Sequence, residues 1–169
     1  MKAFRISVAL LFLSLCAAAS ASGPRPGAAA PDFSLPALLD GGKAVSLKSL
    51  AGRVVVLDFW ASWCAPCAKT LPKLGRLGSN RADVAVLALS VDEDRGKAVD
   101  FLGRKEKADP RLTFLHDSGR AVAEAYDPGG MPSLMIVDKK GVLRFRHDGY
   151  TEADLKAIES EIATLMGES

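Results

Sequence analysis

Two stretches of the chain, Val54–Phe59 and Val84–Val91, are almost continuously apolar and rich in β-branched residues. Such runs are typical of central strands that are covered on both faces. Shorter apolar runs predict strands at Leu112–Leu115, Ser133–Val137 and Val142–Arg146. The last two flank a tight turn, Asp138–Gly141, so they form a predicted antiparallel hairpin.

Helices are predicted between and after these strands. They cover Ala65–Leu77, Arg95–Lys107, Gly119–Tyr126 and Thr151–Met166. Pro72 lacks a backbone N–H donor and should kink the first helix. Thr151 and Asp154 come close to a capping box at the start of the last helix. Upstream, Asp32–Leu50 surrounds the turn Asp40–Gly42 and predicts a β-hairpin or small strands.

This order of elements predicts one α/β domain over residues 32–169. Strands alternate with helices through the middle, and a hairpin and a helix close the chain. We therefore expect a layered fold whose sheet is parallel at the centre and antiparallel at one edge.

Residues 1–21 have the organisation of a secretory signal peptide. Met1–Arg5 is short and basic, Ile6–Cys16 is nearly all apolar, and Ala19–Ala21 supplies small residues in an A-x-A arrangement. We expect cleavage after Ala21 and a periplasmic mature chain without stable membrane insertion. Residues 22–31 are mostly Pro, Gly and Ala, which predicts a flexible lead-in.

Two other interpretations of the N-terminal segment stay open. It could remain as a membrane anchor, although Ile6–Ala21 is short for a span of ~20 residues. It could also be lipidated at Cys16, although Leu15 stands where bacterial lipoprotein signals favour a small residue. A cleaved signal peptide, a membrane anchor and a lipidated segment all imply export.

Charge gives no sign of a nucleic-acid or lipid partner. The chain holds 22 Lys and Arg and 20 Asp and Glu. Lys2 and Arg5 lie in the segment expected to be removed, so the mature chain balances 20 positive charges with 20 negative ones. A neutral body exerts no broad attraction on polyanions.

The strongest chemical signal is Cys64-Ala65-Pro66-Cys67. It follows a buried strand and opens a predicted helix, where unpaired N–H groups and the helix dipole favour a thiolate at Cys64. Pro66 suits the first helical turn. Cys67, one turn in and less exposed, can resolve a mixed disulfide that Cys64 forms. We predict redox chemistry with Cys64 as nucleophile and Cys67 as resolving thiol.

Two alternatives for the cysteine pair remain. A zinc site normally needs four ligands, and His116 and His147 stand alone on separate predicted strands. A structural disulfide is the other alternative, but closing so short a loop removes little chain entropy. We expect no metal and no cofactor.

The stretch Asp58–Cys67 resembles the thioredoxin active site. With Pro31–Leu35, Val45–Leu47 and the signal peptide, the chain is similar to the exported TlpA/ResA/CcmG-like branch. The resemblance implies a thioredoxin fold: a central mixed sheet flanked by helices, with an N-terminal β extension and a βα insertion. It also implies thiol–disulfide exchange with cysteines of other exported proteins. Such proteins often act as reductants in cytochrome c maturation or copper-site assembly, and a membrane electron donor is then expected.

Met131-Pro132 fits the cis-proline loop of this family, which faces the cysteine pair. The resemblance implies a cis bond before Pro132 and a loop backbone that can pair with an extended client segment. Gly129 and Gly130 would let the chain approach closely.

The acidic residues depart from the TlpA-like pattern. Many TlpA-like proteins have asparagine at the place of Asp58 and glutamate three residues after the second cysteine, where this chain has Thr70. Thioredoxin has aspartate at the first place, with a lysine partner that Ala88 replaces here. If Asp58 is buried, its pKa rises and it can accept the Cys67 proton. A structural hydrogen-bonding role for Asp58 is the alternative.

Trp63 is expected to help form the client-binding surface, together with Ala65, Pro66 and Met131. For Trp60, packing is an equally good explanation. Two rival functions stay open: an oxidant that installs disulfides, and a Cu(I)-binding chaperone module without turnover that uses the two thiolates and a thioether. A peroxidase is disfavoured, because Ala61 stands where peroxiredoxins place threonine.

Overall fold

The computed structural model describes residues 23–39, 41–79, 81–103 and 108–168. Within them, seven strands run over Ser34–Pro36 (β1), Ala44–Ser46 (β2), Val54–Trp60 (β3), Val84–Ser90 (β4), Thr113–His116 (β5), Ser133–Val137 (β6) and Leu143–Asp148 (β7). Four α-helices cover Cys67–Thr70 (α1), Arg95–Gly103 (α2), Ala121–Tyr126 (α3) and Leu155–Gly167 (α4). Short 3-10 helices cover Lys48–Leu50, Leu71–Gly78 and Glu152–Asp154.

The main sheet has five strands in the order β5-β4-β3-β6-β7. Strands β3, β4 and β5 are parallel, whereas β6 and β7 are antiparallel additions on the other side of β3. Every residue of β3, β4 and β6 is buried, so both faces of the sheet centre are covered. The predicted parallel centre and antiparallel edge are confirmed.

The predicted additions to this sheet are also present. Strands β1 and β2 form a separate antiparallel hairpin, which is the N-terminal β extension. Strand β5 and helix α3 lie between β4 and β6 in the chain and form the βα insertion. The turn residue Asp40 and the predicted end of the second helix, residues 104–107, lie outside the described residues.

The helix after the cysteine pair differs from the prediction. Instead of one kinked helix from Ala65, a single α-helical turn begins at Cys67 and continues as a 3-10 helix from Leu71. Cys67 is therefore the first residue of α1, although the Ala68 N–H already donates to the Cys64 carbonyl oxygen at 3.3 Å across one helical turn. The change of helix type occurs next to Pro72, whose missing N–H removes a hydrogen bond of the α-helical pattern.

Helix α4 agrees with its sequence pattern. Its buried side chains are Leu155, Ile158, Ile162 and Leu165, one face of the predicted periodicity. The Asp154 carboxylate accepts hydrogen bonds from the Thr151 N–H at 2.7 Å and from its hydroxyl at 2.8 Å. The capping box at this end of the chain is thus complete.

The second half of the lead-in lies against the β6–β7 hairpin. Gly27 N–H donates to the Leu143 carbonyl oxygen at 2.7 Å, and Leu143 N–H donates back to Ala28 at 2.9 Å. The Tyr126 hydroxyl donates to the Pro31 carbonyl oxygen at 2.7 Å. Composition alone gave no indication of these contacts.

The predicted signal peptide, residues 1–21, lies outside the described residues. Within the described ranges, we find no helix with the length and apolar character required to cross a membrane.

Candidate active site

Cys64 and Cys67 form a disulfide whose Cα atoms are 5.3 Å apart. Cys64 keeps 5% of its surface exposed, whereas Cys67 keeps none. The Cys67 N–H donates a hydrogen bond to Cys64 Sγ at 3.2 Å. Because only Cys64 reaches the surface, an external sulfur meets Cys64 first, with Cys67 directly behind it.

The turn before the cysteines is fixed by Asp92, just beyond the end of β4. Its buried carboxylate accepts hydrogen bonds from the Ser62 N–H at 2.8 Å and from the Ser62 hydroxyl at 2.7 Å. The Ser90 hydroxyl donates to it as well, at 2.9 Å. Asp92 therefore holds the segment that presents Trp63 and Cys64. Sequence reasoning missed this residue, and an acid directly after a buried strand was its only signal.

The proline loop lies at the same end of the sheet. Strand β6 pairs with β3 so that Ser133 opposes Phe59, which brings Pro132 next to the end of β3 from which the cysteine segment continues. The Met131–Pro132 bond is cis, as predicted. The Pro132 carbonyl oxygen accepts a hydrogen bond from Gly149 N–H at 2.9 Å.

Asp58 is completely buried in β3, between Ala88 of β4 and Leu134 of β6. Its Oδ1 accepts a hydrogen bond from the Tyr150 hydroxyl at 2.8 Å. Its Oδ2 has no hydrogen-bond partner within the described residues. Burial raises the pKa of Asp58 to about 8, and the Tyr150 hydrogen bond opposes this rise only in part.

Thr70 and Tyr150 connect this carboxyl group to the cysteine segment. The Thr70 hydroxyl donates to the Cys67 carbonyl oxygen at 3.4 Å and lies close enough to the Tyr150 hydroxyl to lower its pKa. Thr70, three residues after Cys67, is therefore an uncharged side chain at the position where many TlpA-like proteins have glutamate. Tyr150 was missed by sequence reasoning, because nothing local marks a tyrosine after a strand as an active-site residue.

The two tryptophans behave differently. Trp60 is fully buried, with its ring centroid 5.4 Å from that of Phe101 and 6.4 Å from that of Phe114. Trp63 is 65% exposed beside Cys64. Packing therefore accounts for Trp60, whereas Trp63 offers a large apolar surface to another molecule.

Two open grooves flank the cysteine turn, and Ala65 and Lys69 border both. One, of about 600 Å³, runs from Trp63 to Phe101. The other, of about 440 Å³, runs from Pro66 to Tyr150 and Glu152. Ala65 and Pro66 are exposed between them, while Met131 on the proline loop is half-buried.

The described residues contain no cluster of three or more His, Cys, Asp or Glu side chains suited to a metal ion. His116 Nε2 lies 2.8 Å from the Asp92 carbonyl oxygen, and His147 Nε2 lies 2.7 Å from Glu161 Oε2. Each histidine thus has a hydrogen-bond partner other than the cysteines.

Comparison with known proteins agrees with this geometry. The model of the Redoxin family matches residues 25–163. The chain belongs to the Redoxin family. It is 32% identical over 117 residues to the thiol-disulfide oxidoreductase ResA of Bacillus cereus, covering 68% of this chain and 65% of that one. It is 31% identical over 130 residues to the thiol:disulfide interchange protein DsbE of Allochromatium vinosum, covering 77% and 70%.

A solved structure supports the same assignment. The crystal structure of a DsbE-type thiol:disulfide interchange protein from Chlorobium tepidum superposes with a TM-score of 0.78 at 32% identity. The match covers 86% of this chain and 100% of that one. With the Cys64–Cys67 disulfide, these relatives identify this redoxin as a thiol-disulfide oxidoreductase of the ResA/DsbE type with a thioredoxin-like fold.

The raised pKa of Asp58 predicts a specific pH dependence of stability. Between about pH 4 and pH 8 the folded chain retains a proton that the unfolded chain has released, so rising pH destabilises the fold over this range. Asp58→Asn lacks the titrating carboxyl, so its free energy of unfolding should fall less steeply with pH than that of the wild type. The two slopes should differ by up to about 1.4 kcal/mol per pH unit.

Urea unfolding of the oxidised chain between pH 5 and pH 9 measures this effect. Asp32→Asn is a suitable control, because that exposed carboxyl pairs with Lys48 and its pKa is lowered. Parallel stability curves for the wild type and Asp58→Asn would contradict the assignment of a proton to buried Asp58.

Proposed function

We propose that this redoxin is an exported reductant that exchanges electrons with the cysteines of other envelope proteins. The observation that carries the proposal is the pairing of a surface sulfur, Cys64, with a buried sulfur, Cys67, that is already in bonding position. Clients are proteins with accessible disulfides, of the kind handled in cytochrome c maturation or copper-site assembly.

In the first step, the reduced Cys64 thiolate attacks one sulfur of a client disulfide. The client S–S bond breaks, a mixed disulfide forms at Cys64, and one client thiolate leaves. Trp63, Ala65, Pro66 and Met131 form the contact surface in this complex. The Pro132 carbonyl is already engaged by Gly149, so an extended client segment pairs with the main chain of Met131.

In the second step, Cys67 gives its proton to Asp58 and attacks Cys64 Sγ. The mixed disulfide breaks, the second client thiolate leaves, and the Cys64–Cys67 disulfide closes. Two electrons have then passed to the client, and its thiolates take protons from water. A dithiol of a membrane electron donor returns the pair to the reduced state by the same exchange in reverse.

The surroundings of the pair support the reducing direction. A dithiol becomes oxidising when its environment stabilises the reduced, thiolate form. Here a buried acid, Asp58, is hydrogen-bonded to Tyr150, and Thr70 lies between Tyr150 and the Cys67 backbone. Above about pH 8, where Asp58 loses its proton, its negative charge destabilises a thiolate and so favours the disulfide.

Export is supported by the basic, apolar and small-residue order of residues 1–21. Cleavage after Ala21 should yield a mature chain that begins at Ser22. The intact mass of the chain purified from the envelope of a bacterial host measures this directly. A chain that keeps residues 1–21, or one that carries lipid at Cys16, would overturn cleavage at Ala21 and identify which alternative applies.

Replacement of the resolving thiol tests the exchange model. Cys67→Ala should stop the reaction at the mixed disulfide, so clients should remain linked to Cys64 when the variant is expressed in the native envelope. Non-reducing electrophoresis with mass spectrometry detects them. Cys64→Ala serves as the matched control and should retain none.

Loss of clients in both variants would contradict the proposal. Insulin reduction and Cu(I) analysis of the reduced wild type separate the rivals. Stoichiometric Cu(I) binding without insulin reduction would instead indicate a copper-binding module.

Asp58→Asn should slow the second step and leave the first largely intact, because only the second needs an acceptor for the Cys67 proton. We expect resolution to fall by roughly 10²-fold at neutral pH, the lower end of general-base contributions. Ellman's reagent separates the steps, since Cys64 attack and Cys67 resolution each release one thionitrobenzoate. Equal resolution rates in the wild type and the variant would remove Asp58 from the mechanism.

A further inference from the structure

Tyr150 binds the buried carboxyl group from a loop that belongs to no catalytic motif. It lies between β7 and the 3-10 turn before α4, and only 4% of its surface is exposed. Its hydroxyl donates to Asp58 Oδ1 at 2.8 Å, across a separation of 92 residues. The other carboxyl oxygen, Oδ2, is buried without a partner in the described part of the chain.

We infer that Tyr150 is a positioning residue for proton transfer: its hydroxyl occupies Asp58 Oδ1 and leaves Oδ2 as the oxygen that accepts the Cys67 proton. This inference rests on the proposed role of Asp58 in resolution. A buried carboxyl with both oxygens free could rotate, whereas a hydrogen bond to one oxygen restricts that rotation.

The hydroxyl of Thr70 completes the arrangement. It donates to the Cys67 carbonyl oxygen at 3.4 Å and is close enough to the Tyr150 hydroxyl to lower its pKa. Its single proton can go to either acceptor. When it goes to Tyr150, the phenol becomes a better donor to Asp58, because hydrogen bonds in a chain polarise one another. Thr70 therefore supports the contact from the α1 side.

Few other titratable or charged groups surround the Asp58 carboxyl. Strands β4 and β6 present Ala88 and Leu134 on either side of Asp58, neither of which titrates. Thr70 on α1 is neutral, and the cysteine pair is in its disulfide form. Tyr150 on the β7–α4 loop is the titratable side chain whose hydrogen bond acts on the pKa of Asp58.

Tyr150→Phe removes the hydroxyl and keeps the buried ring. Since the lost hydrogen bond lowers the pKa of Asp58, the variant should raise that pKa above its wild-type value. Resolution should then be about three- to tenfold slower at pH 7, the effect of one hydrogen bond. The difference should shrink towards pH 10, where Asp58 is ionised in both proteins.

Tyr126→Phe is the matched control. The chain has two tyrosines, and Tyr126 is also buried and also donates its hydroxyl to an acceptor, the Pro31 carbonyl oxygen. It should lose a comparable hydrogen bond without any change in the pH profile of resolution. A purely structural role for Tyr150 would make both variants behave alike.

Two measurements test the inference. The first is the pH dependence of the second thionitrobenzoate release, and the second is an infrared titration of the Asp58 carboxyl band. That band is assigned by its loss in Asp58→Asn. Thr70→Val offers a second variant if Tyr150→Phe folds poorly, and should shift both readouts in the same direction by a smaller factor. An unshifted profile and band in Tyr150→Phe, or in Thr70→Val where Tyr150→Phe does not fold, would overturn the inference.

The outcomes for Asp58 and Tyr150 are separable. If Asp58→Asn slows resolution while Tyr150→Phe does not, the inference fails and the proposed role of Asp58 stands. If Asp58→Asn leaves resolution unchanged, the proposed role fails, and the infrared band still reports whether Tyr150 controls the carboxyl.

Discussion

Strand β3 is hydrogen-bonded on both sides, to β4 and to β6, and every one of its side chains is buried. This double pairing determines the position of each part of the site. The cysteine segment continues from the end of β3, and Asp92 follows the neighbouring end of β4. Pro132 immediately precedes β6 on the other side. Three separate segments of the chain therefore meet at one edge because a single strand fixes their registers.

The same strand imposes an energetic cost, since Asp58 occupies a central position where its neighbours are apolar. A charged carboxylate there would lose its hydration without a cation to compensate. The fold tolerates the residue because the acid holds its proton and receives one hydrogen bond from Tyr150. An isolated buried acid of this kind is expected where proton transfer is needed rather than where stability alone is selected.

Local patterns were sufficient to predict β3, β4, the closing hairpin, α4 and the cysteine pair, since apolar runs, turn residues and motif spacing all act over a few residues. The cis proline required the family resemblance. Tyr150 and Asp92 could not be predicted, because their roles come from hydrogen bonds to residues far away in the chain. The partner of Tyr150 is 92 positions away, and the partner of Asp92 is 30 positions away. The start of α1 was misplaced by two residues because helix propensity does not register the turn at Ala65 and Pro66.

The path of residues 23–31 determines where a preceding segment leaves the domain. Gly23 passes so close to the Tyr126 carbonyl oxygen that an added Cβ would lie 2.1 Å from it, and Gly27 to Ala30 follow the hairpin edge through main-chain hydrogen bonds. Whatever precedes Gly23 thus leaves the domain from a fixed exit point beside α3. A tag or fusion partner placed directly before Gly23 would therefore approach the domain beside the C-terminal end of α3.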